Sequence, residues 1–173
     1  SEKLLSMIQF AEGEKVCLEP FSYKRLLQFY SLCKKSRAKW EKFVVLHFNG
    51  LNGARQFIAQ QVNNDKFVGY FILDKKSFKT IGFIIGDAIS DTEMSITRAI
   101  SAKYEGRGYA FEARQLFEDL MVEAGFTSIV SFCEEENTHS KELLLRDGYK
   151  KEAARTFSVG SVSVVLETYR KHL

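Results

Sequence analysis

Between residues 93 and 133 the chain changes its repeat pattern twice, and that stretch leaves few architectures open. Residues 93–101 (EMSITRAIS) read as a strand, and residues 104–110 (YEGRGYA) as a glycine-rich turn. From residue 109 to 124 the apolar side chains Ala113, Leu116, Phe117, Leu120, Met121 and Ala124 fall on one face of a helix. Glu112, Arg114, Glu118, Asp119 and Glu123 fall mostly off that face. Gly125 supplies a C-terminal cap. Residues 127–133 (TSIVSFC), β-branched and aromatic, then form a strand. A strand–helix–strand unit set among hairpin-linked strands calls for a mixed sheet with helices packed on it.

The flanking segments supply those strands. Residues 15–19 (KVCLE) alternate as a first strand. Ser22 is placed to cap a helix over residues 23–40, with Leu26, Leu27, Phe29, Tyr30 and Cys33 on its apolar side. Residues 43–48 (FVVLHF) are a strand or a buried continuation, residues 49–53 (NGLNG) a turn, and residues 54–61 a second helix. Residues 66–73 and 79–85 pair as a hairpin across the charged turn at 74–76. Residues 137–146 are a short helix stopped by Gly148, and residues 149–153 and 159–168 close the chain as strands. The order predicts an α/β (α+β) fold: a mixed, mostly antiparallel central sheet of about six to seven strands with helices on both faces.

Composition excludes several classes. With 173 residues, one domain is expected. Twenty-five Lys and Arg against 22 Asp and Glu leave +3, too little and too scattered for a nucleic-acid partner. No apolar run approaches the ~18 residues of a membrane span, and the opening SEKLLSMIQF lacks the marks of a secretory signal. Cys17, Cys33 and Cys133 are odd in number and far apart, and His47, His139 and His172 are dispersed. Neither a disulfide framework nor a zinc site is therefore expected, and a reduced, cytoplasmic setting is.

The segment from Lys103 to Ala110 carries the chemistry. Glycines between a strand and a helix let a ligand approach the main chain, and the helix's first N–H groups have no partner within it. Together with the positive helix end they suit a pyrophosphate. The spacing is neither a P-loop nor a dinucleotide fingerprint, since Gly106 and Gly108 are followed by Phe111 rather than a third small residue. Taken alone, the turn reads equally well as a tight, closely packed connection.

Taken with the helix and strand after it, then Asn137-Thr138-His139-Ser140 and Gly148-Tyr149, the stretch YEGRGYAFEA resembles the GNAT acetyltransferase superfamily. Within it the likeness is to the branch of ribosomal-protein N-terminal acetyltransferase-like enzymes. It is strongest over residues 93–157, extends over the hairpin 66–86 with its Ile81-Gly82, and rests on element order alone in the first 60 residues. The resemblance implies acetyl-CoA as co-substrate and no metal. It places the pyrophosphate on the main chain of Gly106, Arg107, Gly108, Tyr109 and Ala110, with Lys103 opening the motif. The pantetheine arm would pair like an added strand with Ala99, Ile100 and Ser101, in a local splay after that strand. Asn137 would contact the arm, or serve only as a helix cap. Ser140 would protonate the departing thiolate, or be an exposed first-turn serine. Arg146 would lie near the adenosine phosphate, or be a solvated helix-end charge.

The same resemblance leaves gaps in the catalytic set. Leu144 stands where many members carry a tyrosine acid, and Ser95 where this branch often has Glu. Glu93, on the same strand face as Ser95, is then the best carboxylate for a base, and a main-chain N–H near Ile100 would stabilise the oxyanion. Cys133 reads as a small buried residue near the arm. Trp40 reads as core or as a border of the acceptor pocket. The Lys34-Lys35-Ser36-Arg37 run reads as a solvated face or a dock for an acidic partner. Within the single domain, residues 1–65 would supply acceptor-side helices, 66–157 the cofactor-binding core and 158–173 a closing strand. The expected activity is N-acetyl transfer from acetyl-CoA to a primary amine, a protein N-terminal α-amino group or a small amine, by direct attack in a ternary complex. The alternatives are a catalytically silent acyl-CoA-binding regulatory module and a phosphate-ligand domain in which the turn is incidental. The protein is expected as a monomer or homodimer, with no nucleic acid or membrane partner.

Overall fold

The computed structural model describes residues 2–37, 40 and 49–173. In chain order it contains α1 (Glu2–Met7), β1 (Ala11–Glu12), β2 (Val16–Pro20), a 3₁₀ turn (Tyr23–Arg25), α2 (Leu26–Lys35), α3 (Gly50–Val62), β3 (Phe67–Asp74), β4 (Thr80–Ala88) and β5 (Glu93–Ile100). A second 3₁₀ turn (Ala102–Tyr104) leads to α4 (Tyr109–Ala124), β6 (Ser128–Glu134), α5 (Thr138–Arg146), β7 (Lys150–Val159) and β8 (Val162–His172). Among the described residues eight strands form one sheet, in the order β1-β2-β3-β4-β5-β6-β8-β7.

Neighbouring strands run antiparallel except β5 and β6, which α4 joins in parallel. That parallel pairing is short. It runs from Glu93 opposite Ser128 to Ile96 opposite Ser131. Beyond it β5 stays with β4 as far as Ile100, opposite Gly82, and β6 stays with β8 as far as Glu134, opposite Leu166. The sheet therefore splits at one edge into two halves.

Strand alternation sorts the core onto two faces. Ile84, Met94, Ile96 and Ile100 pack with Leu4, Met7, Phe117, Met121 and Leu144 under α1, α4 and α5. Phe71, Leu73, Phe83, Ile85 and Ala99 pack with Phe29, Leu32, Ala54 and Ile58 under α2 and α3. Phe21, Phe29, Phe57 and Phe83 make a connected set of ring contacts on this second face, with centroids 5.6–6.3 Å apart. Each fully buried side chain of this size contributes about 1.5–3 kcal/mol.

The structure departs from the sequence pattern where local signals compete with packing. The eighth strand is β1, two residues long, and α1 likewise is too short for any periodicity to show. Ser22 is extended (φ −156°, ψ 167°) and makes no side-chain cap bond. The 3₁₀ turn intervenes, and α2 opens only at Leu26. The NGLNG segment is not a turn: Asn49 is extended and α3 begins at Gly50, because burying Ala54 and Ile58 against the sheet outweighs the helix-breaking residues. The closing strands are longer than the pattern suggests and meet around Gly160 (φ +63°). The segment 43–48 lies outside the described residues.

The helix α4 has its expected bounds. Gly125 ends it in the left-handed region at φ +100°, and the Phe126 N–H returns to the Met121 carbonyl at 2.9 Å. Gly125→Ala is expected to lose about 1–2 kcal/mol in urea unfolding with the slope unchanged. An unchanged midpoint would mean the cap is not under this constraint.

Candidate functional site

The site begins with the parting of β5 and β6. The Ser101 N–H donates to the Ile81 carbonyl at 2.8 Å. By the alternation of an antiparallel ladder, the residue before it, Ile100, then turns its N–H and C=O away from β4, toward the flank that β6 has left. The indole Nε1–H of Trp40 donates to that Ile100 carbonyl at 3.3 Å.

The chain next turns through Ala102–Tyr104 and reaches Gly106 (φ +70°) and Gly108 (φ +83°), both in the left-handed region. Gly108 is the N-cap of α4 and no side chain caps the helix. The helix's own bonding starts with the Glu112 N–H on the Gly108 carbonyl at 3.1 Å, so the amides before it face outward from the helix end. Cations gather here. The Arg107 guanidinium lies over Tyr104 and Tyr109, 5.6 and 5.1 Å from their centroids, and Lys103 is 5.9 Å from Tyr104.

A further cation comes from a distant part of the sequence. Lys15 Nζ donates to the Arg107 carbonyl at 2.7 Å and lies 3.3 Å from where a Cβ on Gly108 would be. Glu112 holds it there: its carboxylate accepts the N–H groups of Glu14, Lys15 and Val16 at 2.5, 2.7 and 3.1 Å. Neither role shows in periodicity. The one signal for Glu112 is its place in the first turn of a helix, where an acid is favoured.

The second wall is the start of α5, at the same edge of the sheet because β5 and β6 run parallel. Asn137 caps this helix, its Oδ1 accepting the Ser140 N–H at 3.2 Å. Ser140 is half-buried and near the buried Cys133 thiol. Burial raises the pKa of that thiol, and Ser140 only partly opposes it. The thiol donates to the Glu134 and Asn137 carbonyls at 3.5 and 3.7 Å. Leu144 is fully buried one turn further on.

Two candidates are not brought to this edge. Glu93 starts β5, about 23 Å of strand from Ile100. There it accepts Arg170 Nε and Nη2 at 2.8 and 3.1 Å and Ser128 Oγ at 2.7 Å. The Arg170 bond, foremost, holds its carboxyl below the ordinary range. A carboxylate so placed is engaged by Arg170 and Ser128 and stands away from the glycine turn. Arg146 is exposed at the far end of α5, about 13 Å along the helix from Asn137. With Phe111, Arg114, Gln115 and Lys171 it lines a cleft of about 250 Å³ between α4 and α5.

Beneath that cleft lies a charged cluster that sequence reasoning missed. Arg114 and Glu118 are 3% and 7% exposed although both fall off the apolar stripe of α4. Arg114 stands 3.7 Å from Asp147 and 4.8 Å over the Tyr149 ring. Glu118 accepts the Tyr149 hydroxyl at 3.1 Å and Lys171 at 3.0 Å. Arg98 reaches in from β5, and burial and then Arg114 pull its pKa down to about 9. Among the described residues no group of three His, Cys, Asp or Glu side chains is arranged to hold a metal, and no helix is long and apolar enough to cross a membrane.

The model of the acetyltransferase (GNAT) domain matches residues 15–150. No curated protein sequence matches significantly. Among solved structures, the chain is similar to an acetyltransferase from Salmonella typhimurium that modifies the N-terminal serine of 50S ribosomal subunit protein L7/L12 (TM-score 0.86, 12% identity, covering 95% of this chain and 99% of that one). It is similar also to a GCN5-related N-acetyltransferase from Brucella melitensis (0.84, 16%, 95% and 79%). A third is the microcin C7 self-immunity acetyltransferase MccE, in complex with acetyl-CoA and AMP (0.83, 19%, 93% and 94%).

If Glu93 serves the fold through Arg170 and Ser128, Glu93→Gln is expected to cost about 1–2 kcal/mol of stability at pH 7. Its folded pKa lies below the unfolded value near 4.5, so its contribution is complete above that value and disappears as pH falls through the folded pKa. Thermal melts of the two proteins should therefore converge in acid. A gap as wide at pH 2.5 as at pH 7 would exclude the ion pair as its source.

Proposed function

The chain belongs to the GNAT acetyltransferase family, and from that membership we propose that it moves the acetyl group of acetyl-CoA to a primary amine, either the α-amino group of a protein N terminus or a small amine, by direct attack in a ternary complex. The observation that carries this reading is the coincidence at one sheet edge of an uncapped helix N-terminus, three cations and the parted strands β5 and β6.

In this reading the amides of Gly106, Arg107, Gly108, Tyr109 and Ala110 hold the pyrophosphate, with Lys103 and Lys15 adding positive potential. The pantetheine arm lies along Ala99, Ile100 and Ser101, where β6 no longer pairs with β5. The amine attacks the thioester carbonyl and a C–N bond forms. The main chain at Ile100 polarises the developing oxyanion. The C–S bond then breaks, the nitrogen passes its proton to water, and the leaving thiolate takes one from the Ser140 hydroxyl, which water reprotonates. Asn137 meets the arm with the amide group that also caps α5. Arg146, away from that edge in the cleft it lines with Phe111, would meet only the outer, adenosine end of the cofactor.

An α-amino acceptor fits a Glu93 that stands away from the glycine turn. Its pKa near 8 leaves a useful neutral fraction at pH 7–8, whereas a lysine side chain near 10.4 would need a strong base beside it. The Salmonella neighbour, which acetylates an N-terminal serine, supports the same choice. A catalytically silent acyl-CoA-binding module is the second reading, favoured by the buried Leu144 in place of a tyrosine acid.

A screen of amines and N-terminal peptides with a free-thiol readout separates the two. Amine-dependent release of CoA supports the enzyme, and CoA binding with no release under any amine supports the module. Gly108→Val puts a branched side chain on a φ of +83° beside Lys15 and is expected to weaken CoA at least about tenfold by calorimetry in a variant with native circular dichroism. Undiminished affinity would remove the turn as the pyrophosphate site. Ser140→Ala is expected to lower kcat by about 10²-fold with little change in CoA affinity, and an unaltered rate would remove Ser140 as the proton donor.

A further inference from the structure

The chain has one tryptophan, Trp40, and it is only 3% exposed. It follows the end of α2, and its main-chain N–H donates to the Ser36 carbonyl at 2.9 Å. Its ring stands edge-on to Phe83 at 5.5 Å, on the face covered by α2 and α3. From there the indole N–H reaches across 60 positions of sequence to the Ile100 carbonyl at 3.3 Å.

We propose that Trp40 is a positioning residue, whose indole sets the orientation of the Ile100–Ser101 peptide and so of the strand end on which the acyl-bearing arm docks. The inference rests on the reading of β5 as the strand that receives acetyl-CoA. Ile100 is 6% exposed, and its carbonyl points toward the flank where β6 no longer runs alongside. A buried carbonyl on such a flank is oriented by the donors it meets. Trp40 supplies one from the opposite layer. In a strand the N–H and C=O of one residue point the same way, so fixing the carbonyl also fixes the direction of the Ile100 N–H. An indole suits the role because it donates only and its large ring is locked by packing. The bond also ties the helical layer on the acceptor side to the strand end on the cofactor side.

Because the tryptophan is single, its Nε1–H gives one resonance in a ¹⁵N-edited spectrum of the wild-type protein. Titration with coenzyme A is expected to move that peak, with a midpoint equal to the Kd from calorimetry. Trp40→Phe keeps an aromatic ring and removes the donor. In that variant acetyl-CoA is expected to bind about tenfold more weakly, while adenosine 3′,5′-bisphosphate, which has no pantetheine arm, binds as it does to wild type. General loosening of the fold would weaken both probes alike. An indole peak that stays put while calorimetry shows saturation with coenzyme A overturns the assignment, as does equal weakening, or none, of the two probes. Absence of coenzyme A binding in the wild-type protein would instead overturn the acetyl-transfer reading on which this one stands.

Discussion

Parallel pairing between β5 and β6 ends at Ile96 and Ser131, while each strand keeps its outer neighbour for three or four residues more. The β-sheet twist turns adjacent strands by some 20–25°. Here the two halves of the sheet follow their own twists and diverge. The consequence is a length of β5 whose flank beyond Ile96 is left by β6, at the edge where α4 presents its N-terminus. A ligand that is anionic at one end and amide-bearing along its arm meets both features at once. The helices on either face hold that divergence open: α4 and α5 pack on one side of the parting strands, and α2 and α3 on the other.

Charge is distributed to match. Several carboxylates are bound to structural partners. Glu93 is held by Arg170. Glu167, 1% exposed, accepts the Tyr169 hydroxyl at 2.6 Å and meets Lys141 at 3.0 Å, and the tyrosine bond chiefly holds its pKa down. Glu112 is saturated by three backbone donors. At the turn itself the exposed Lys15, Lys103 and Arg107 outnumber the half-buried Glu105. Arg98 and Arg114 lie deeper, with Arg98 Nε and Arg114 Nε and Nη1 enclosed without a hydrogen-bond partner among the described residues. Asp147, 3.7 Å from Arg114, partly offsets the cost of burying these two cations together.

Much of this was legible in the chain, and the reasons are local. The helix α4 declares itself because its apolar positions, its left-handed glycine entry and its glycine exit all agree. The hairpin of β3 and β4 is equally plain, and so is the cap of α5 at Asn137. What stayed hidden depends on contacts between remote residues. Glu112 shows no periodic reason to be where it is, since its partners lie 96 to 98 positions earlier. Glu93 looked like a free acid on a useful strand because nothing near it in sequence announces Arg170, 77 positions on. Trp40 and Ile100 are likewise unrelated in any local pattern. The NGLNG segment misled for the opposite reason: its local signal was strong, and packing overrode it.

The Glu112 carboxylate has one more implication, for where the chain may be cut. Three of its acceptor contacts go to a hairpin tip that a reader of the glycine motif would regard as an accessory arm. A shortened protein starting beyond Val16 would keep every residue of the motif, yet Glu112 would lose its three donors and stand as a bare anion beside the N-terminus of α4. The arm thus covers a charge at the helix start, and the packing of the glycine turn reaches back to a segment nearly a hundred residues ahead of it.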